Sequence, residues 1–287
     1  MASISDFASR RETGSRAPDE TIVPLAPPLS VGGLRGLGTK VSSRLSRHVA
    51  LSRRRLANVR PMVSLTFDDI AASAADRGAD IVEEFGGRST FYISTSLIGK
   101  RTELYEIAGA EALADLSRRN HELGLHFHDH VRADQLDDQD LQHQIQSNRD
   151  ALRTVCPGAA GANFAYPFGY ATFGAKRSLR RTTSSCRSIT PGVQSGWFDP
   201  HHLRCVELTE ARLEMKRFIA LLDETSRVNG WLIFLTHDIT DRPTEFGCRP
   251  AFFRRALEEI AARRMDMVTV ETALQRSTSL FAVEAPQ

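Results

Sequence analysis

From Met62 onward, short apolar runs alternate with stretches whose apolar residues recur at helical spacing. Val63 to Phe67 reads as a first strand, and Ile70 to Phe85 as a helix stopped by Gly86 and Gly87. Ser89 to Ile93 predicts a second strand, Leu104 to Arg119 a second helix, and Leu123 to His128 an extended segment. Leu141, Ile145, Asn148 and Leu152 share a helical face ahead of the breaker Pro157-Gly158. Phe164 to Tyr166 is a short strand ending at Pro167-Phe168-Gly169, and Leu213, Phe218, Leu221 and Leu222 mark a further amphipathic helix. Trp231 to Leu235 is the clearest buried strand. A last helix carries Phe253, Ala256, Leu257, Ile260 and Ala261, and Met267 to Val270 would close the sheet. Strands alternating with helices predict an α/β fold built on a parallel sheet or barrel, assigned to residues 61–287.

Upstream the pattern is lost. Residues 1 to about 20 are polar and unpatterned, Val23 to Pro28 is proline-rich, and glycines follow at 32, 33, 36 and 38. A basic helix from Val41 to Leu56 is expected, so residues 1–60 read as a leader, flexible or packed on the barrel as an appendage. Charge sharpens this division. Met1 to Phe67 holds eleven Lys or Arg against four Asp or Glu, although the whole chain carries only +2. Such a run could attract anionic lipid, nucleic acid or an acidic polysaccharide. Among its charges from Arg35 to Arg60 there is no aromatic residue to stack on bases, which favours a solvated lead-in over a nucleic-acid surface. Cys156, Cys186, Cys205 and Cys248 are scattered without a C-x-x-C pair, so reduced structural thiols are expected. No apolar run approaches a membrane span, and the charged start lacks the features of a secretory signal; both point to the cytoplasm.

Candidate chemistry collects at predicted strand ends. Asp68 and Asp69 close the first strand, where one carboxylate can hold a cation while the other, kept off it, accepts a proton. The plainer alternative is that they cap the following helix. Residues His121 to His130 hold four histidines, at 121, 126, 128 and 130. The helical metalloprotease pattern H-E-x-x-H fails, because three residues separate Glu122 from His126. Gly124 argues against a continuous helix. On an extended segment His126, His128 and His130 would share a face; a loop or turn would pair only His126 with His130. Two imidazoles and Asp69 make a three-ligand set with a position left for water, as in a catalytic zinc site. Asp68 is then left as base, and His237, at the end of the best strand, is the natural proton donor. Asp238 is placed to orient that imidazole. His201 and His202 near Cys205 match no standard metal spacing.

Thr66-Phe67-Asp68-Asp69, His126-x-x-x-His130, Tyr166-Pro167-Phe168-Gly169 and Leu235-Thr236-His237 resemble, in order, four motifs of the polysaccharide deacetylase family, the NodB-homology or carbohydrate esterase family 4 domain. The resemblance spans about Pro61 to Leu274. It implies a distorted (β/α) barrel with its site at the C-terminal ends of the strands. It further implies Asp68 as general base, Asp69, His126 and His130 as ligands of a divalent metal, Zn2+ before others, His237 as general acid, and the Phe168 N–H at the oxyanion. The activity implied is removal of N-acetyl groups from an amino-sugar oligo- or polysaccharide. A non-sugar amide or O-acetyl ester is the alternative substrate, and an inactive carbohydrate-binding barrel the alternative class. Tyr166, Trp197 and Arg187 are the expected substrate-binding residues. Many members of the family carry Arg where this chain has Ala165, and Arg187 could supply that charge from the next strand. Gly196-Trp197-Phe198-Asp199 has Trp and Asp in reverse of the family's order.

Overall fold

The computed structural model describes residues 22–25 and 33–279. Expectations for residues 1–21 and 26–32 lie outside them. In chain order the elements are α1 (Gly33–His48), β1 (Arg54–Leu56), β2 (Met62–Asp68), a π-helical turn (Ala74–Gly78) running into α2 (Ala79–Glu84), β3 (Thr90–Ile93), α3 (Ala110–Arg118), β4 (Glu122–Leu125), α4 (Asp138–Val155), β5 (Asn163–Ala165), α5 (Phe173–Leu179), β6 (Ser185–Arg187), β7 (Trp197–Phe198), β8 (Val206–Glu207), α6 (Met215–Arg227), β9 (Trp231–Thr236), α7 (Pro250–Ala262), β10 (Asp266–Met267), α8 (Val270–Gln275) and β11 (Ser277–Ser279).

The main sheet runs β6-β5-β4-β3-β2-β9-β8, every neighbouring pair parallel, with β10 also pairing β2. This curled sheet with helices on its outside is the distorted (β/α) barrel. β2 and β9 are its centre, in register from Met62 beside Trp231 to Phe67 beside Thr236, and every residue of both strands is buried. Burial on both faces explains their unbroken apolar runs. Because all strands point one way, Asp68, His126, Tyr166, Arg187 and His237 are delivered to one end.

A smaller antiparallel sheet, β11-β1-β7, lies at the opposite end, since β1 leads directly into the start of β2. The residues before the barrel are held to it by specific contacts. Ser46 Oγ donates to the Ala171 carbonyl at 3.2 Å, and the buried Lys176 Nζ donates to the Ser46 and Val49 carbonyls at 2.7 and 2.8 Å. Lys176 also lies 2.7 Å from Asp199, which accepts the Leu51 N–H at 3.0 Å. No helix among the described residues is long and apolar enough to cross a membrane.

Several elements depart from expectation for local reasons. The helix expected from Leu104 begins only at Ala110, because Thr102 Oγ1 accepts the N–H groups of Leu104 and Tyr105 at 3.2 and 3.0 Å and holds them in a turn. The basic helix expected over Val41 to Leu56 covers Gly33–His48 instead, and Leu56 lies in β1. The closing strand stops at Met267, since the Thr269 hydroxyl caps α8 by accepting the Thr272 N–H. The helix after β2 starts at Ala72 and not at Ile70, because Asp69 and Ile70 both have left-handed backbones, φ 59 and 56. Asp68 and Asp69 therefore cap no helix.

Candidate active site

β2 ends by turning sharply, and the turn aims both carboxylates inward. β4 stops at Leu125 for a similar reason: Phe127 has φ 56, which ends the extended run expected to reach His128. That kink pairs His126 with His130 and sends His128 away, its Nδ1 lying 2.8 Å from the Thr95 hydroxyl. His121 sits at the far end of the strand, its Nδ1 accepting the Ser89 N–H at 2.9 Å and its Nε2 lying 3.0 Å from Glu83. Of the eight non-glycine residues with positive φ among those described, Asp69, Ile70, Phe127, His130 and Phe168 belong to the loops around this site. Each such residue costs roughly 1–3 kcal/mol. Burying a Phe side chain returns about as much, and Phe67, Phe91, Phe127 and Phe164 are all fully buried beneath the loops.

His130 Nε2 lies 3.0 Å from Asp69 Oδ1, and His126 Nε2 lies 3.5 Å from the same oxygen. One donor atom from each of the three residues falls within 4.8 Å of the others. His126 Nδ1 is 2.8 Å from the Ala165 carbonyl; donating there fixes the tautomer that leaves the Nε2 lone pair free. Burial pushes the His126 pKa down to about 4, so the ring is neutral at pH 7. His130 is pushed the other way, burial being outweighed by the adjacent Asp69 charge. Burial alone would raise the Asp69 carboxyl, but His130 and His126 hold it well below the usual carboxylate range. Asp69 Oδ2 accepts from Tyr105 Oη at 3.0 Å, while Oδ1 is buried with no hydrogen-bond donor. A buried carboxylate oxygen without a donor is costly. Here it faces two imidazole nitrogens, the donor set expected of a divalent cation site with one position left open. The three residues fit such an ion.

Asp68 stands beside this triad, its Oδ2 3.8 Å from His126 Nε2. Both its oxygens accept from one guanidinium nitrogen of Arg187 on β6. Burial would lower the Arg187 pKa, but Asp68 pushes it up, so the pair is a buried ion pair. Arg187 thus occupies the role left open by Ala165. Its complete burial makes it a support for Asp68 and corrects the expectation that it binds substrate. Tyr92 fills the space beneath, with the Arg187 guanidinium 5.2 Å from its ring centre. A Cβ at Gly124 would come within 2.6 Å of that ring, which is the reason for a glycine in β4.

The remaining residues divide between the rim and the interior. Phe168 sits in the turn after β5 with φ 56, its ring centre 4.5 Å from that of His130. His237 follows β9, half-buried, with Nδ1 3.4 Å from the Phe246 carbonyl and its ring against the Phe246 ring. Asp238 does not orient it: that carboxylate accepts the N–H and hydroxyl of Thr244 and holds the turn that places Phe246. Tyr166 is 1% exposed, T-shaped against Phe164, so a substrate meets it no more than it meets Arg187. Trp197 is 48% exposed but pairs with Arg55 in the small sheet, at the opposite end of the barrel from Asp68. His201 bonds the Ser52 hydroxyl and Thr183 carbonyl, and His202 Nε2 lies 3.0 Å from the Thr190 hydroxyl. Among the described residues Asp69, His126 and His130 form the one group of three or more that could hold a metal ion.

Asn148 and Tyr105 were not legible as parts of the site. Asn148, fully buried on α4, donates to the Ile93 and Phe127 carbonyls and to Thr95 Oγ1 at 2.9, 3.1 and 3.0 Å, and accepts the His126 N–H at 3.3 Å. It ties the ends of β3 and β4 together under His126. Its signal was an amide on an otherwise apolar helix face. Tyr105 gave none, because its loop reads as helix.

Residues 56–184 match the family model described as polysaccharide deacetylase. No curated protein matches the chain. Among solved structures, a family 4 carbohydrate esterase from Streptomyces lividans aligns at 12% identity with TM-score 0.51, covering 76% of this chain and 96% of that one. The peptidoglycan deacetylase PdaC from Bacillus subtilis aligns at 15% identity with TM-score 0.51, covering 76% and 92%. The Bc1960 peptidoglycan N-acetylglucosamine deacetylase aligns at 14% identity with TM-score 0.52, covering 77% and 91%. These alignments define the fold as the deacetylase barrel. Through residues 56–184 the chain is thus similar to the polysaccharide deacetylase family.

Proposed function

We propose that this protein hydrolyses the N-acetyl groups of an amino-sugar oligo- or polysaccharide, with a divalent cation held by Asp69, His126 and His130. The observation that carries the reading is the buried, donorless Asp69 Oδ1 facing two imidazole Nε2 atoms. A cation there, Zn2+ by the chemistry of two imidazoles and a carboxylate, supplies charge that polarises an acyl carbonyl and acidifies a neighbouring water. Asp68 is outside the ligand set and accepts the proton from the attacking water; Arg187 fixes its orientation and balances its charge. The Phe168 N–H, in its left-handed turn, donates to the oxygen that becomes negative. His237 delivers a proton to the amine as the C–N bond breaks, giving acetate and a free amino sugar. The Phe246 carbonyl beside Nδ1 leaves Nε2 to face the leaving group.

The test is acetate release from N-acetylglucosamine oligomers, with simple acetamides and acetylated xylan alongside. Activity is expected on the oligomers, to be abolished by a chelator, restored by Zn2+ and lost in Asp68→Asn. Turnover that survives chelation, or substantial turnover by a folded Asp68→Asn protein, would overturn the assignment.

A further inference from the structure

We propose that Tyr105 is a positioning residue for the Asp69 ligand and that residues 22–25, which precede the family-matched stretch, hold it in place. The inference rests on the reading of Asp69, His126 and His130 as a cation site. Tyr105 Oη donates to Asp69 Oδ2 at 3.0 Å, while Oδ1 points to His130 Nε2 at 3.0 Å and His126 Nε2 at 3.5 Å. The phenol therefore occupies the oxygen turned away from the imidazoles and stops the carboxylate rotating about its χ2 axis. Only one oxygen is presented between the two rings. Hydrogen bonds of this kind to the far side of a ligand fix its direction and tune how strongly it binds.

Tyr105 lies in no regular element, so something else must fix the phenol. On the barrel side its loop is tied down by the Ala72 N–H to the Glu106 carbonyl at 2.8 Å and the Ala108 N–H to the Ile70 carbonyl at 3.0 Å. Within the loop Thr102 Oγ1 accepts the Tyr105 N–H and donates to the Tyr105 carbonyl, at 3.0 and 2.7 Å. The outer side is closed by the N-terminal segment. The Val23 N–H donates to the Arg101 carbonyl at 3.0 Å, Val23 pairs with Thr102 in a parallel bridge, and the Leu25 N–H donates to Glu103 Oε1 at 3.2 Å. The Leu25 side chain is buried in the main core, which anchors this clip. A segment remote in sequence thus continues through Thr102 and Tyr105 to the one ligand that is a carboxylate.

The experiment is a Zn2+ titration of the full-length, metal-free protein against a chromophoric chelator, which reads affinity without turnover. Tyr105→Phe removes one oxygen and keeps the ring; it should weaken Zn2+ binding about 10- to 100-fold and leave the metal-free melting temperature within a few degrees. Val23→Pro, which deletes the N–H of the clip but keeps the phenol, should weaken binding in the same direction and gives an independent test if Tyr105→Phe does not fold. Placed on Tyr105→Phe, it should add nothing further, because the two act through one contact. If the wild-type protein binds no Zn2+, the cation reading itself has failed. If the wild type binds and Tyr105→Phe binds equally tightly, the positioning role is overturned. An equal loss from Val23→Pro with and without the phenol would overturn the clip.

Discussion

Strand β4 carries an ionisable residue at its start, the half-buried Glu122, and another just past its end, the buried His126, and the surroundings of the two are finished differently. Glu122 Oε1 accepts from Asn163 Nδ2 at 2.6 Å, and Oε2 accepts from the Thr90 hydroxyl and the Glu271 N–H, both at 2.8 Å. The carboxylate is closed: protein donors surround it and nothing further is asked of it. Around His126 the same kinds of groups stay open. Asp69 Oδ1 has no donor, the His126 Nε2 lone pair faces inward, and the backbone at Asp69, Phe127 and His130 is left-handed. Buried polar groups that are fully paired hold a fold together, whereas those left unpaired at strained turns mark where a ligand is to be bound. By the same criterion His201 is closed, both ring nitrogens having partners, while His202 keeps a buried Nδ1 without one but sits on no left-handed backbone, so only the triad combines unpaired atoms with strained turns.

The largest way to break this contrast is to remove the support that the open end cannot spare. Arg187→Met would leave the Asp68 carboxylate buried without its counter-charge, and loss of one partner from such a pair costs about 3–5 kcal/mol. The expected result is a fall of that size in unfolding free energy by urea denaturation, together with at least about a hundredfold loss of acetate release. Adding Asp68→Asn should recover part of the stability and none of the activity. A single variant within 1 kcal/mol of wild type would mean that the ion pair does not organise the site.

A smaller effect should come from acid. Burial pushes His202 from 6.5 down to about 4, and burial also lowers His201 and His121. Below pH 6.5 the unfolded chain takes up protons that the folded chain refuses. Stability is therefore fully present above 6.5 and declines as pH falls toward 4, by about 3 kcal/mol for His202 alone. Urea midpoints measured between pH 7 and 4 should show the decline, and His202→Gln should flatten it. A His202→Gln profile as steep as wild type would show that this buried histidine does not carry the acid sensitivity.

The sheet is largely legible because β2 and β9 are apolar on both faces, and the grouping of Asp69, His126 and His130 is legible because such residue types are rare together. The choice of His130 over His128 turned on whether the backbone kinks, and a left-handed Phe127 has no sequence mark. Arg187 is legible as a replacement charge but not as a buried support for Asp68, since sequence says which strand it sits on and not that β6 buries it entirely. The place of Trp197 is not legible, because an aromatic residue in a loop-rich stretch does not say at which end of the barrel it lies. Tyr105 was hidden by a hydroxyl, Thr102, that competes with helix formation in a stretch of good helix formers. Failures of this kind gather at loops, where tertiary contacts outvote local preference.

The mildest test sharpens the comparison at its closed end. Glu122→Gln keeps the shape of the side chain and removes its charge. Burial pushes the Glu122 carboxyl pKa up, so its charged form is already disfavoured in the folded protein. That part of the change is favourable near neutral pH. Against it, a glutamine has one acceptor oxygen where the carboxylate has two, and its amide nitrogen would confront the Asn163 amide nitrogen unless Asn163 turned over. Asn163 cannot turn freely, because its Oδ1 accepts the Ser185 hydroxyl at 2.7 Å. One strained or lost hydrogen bond costs about 1–2 kcal/mol, and the two effects oppose each other. The expected outcome is a net loss of roughly 1 kcal/mol in urea denaturation, with acetate release and Zn2+ affinity unchanged. A change in Zn2+ affinity would show that the closed end of β4 is coupled to the open one along the strand, and the division drawn between them would fail.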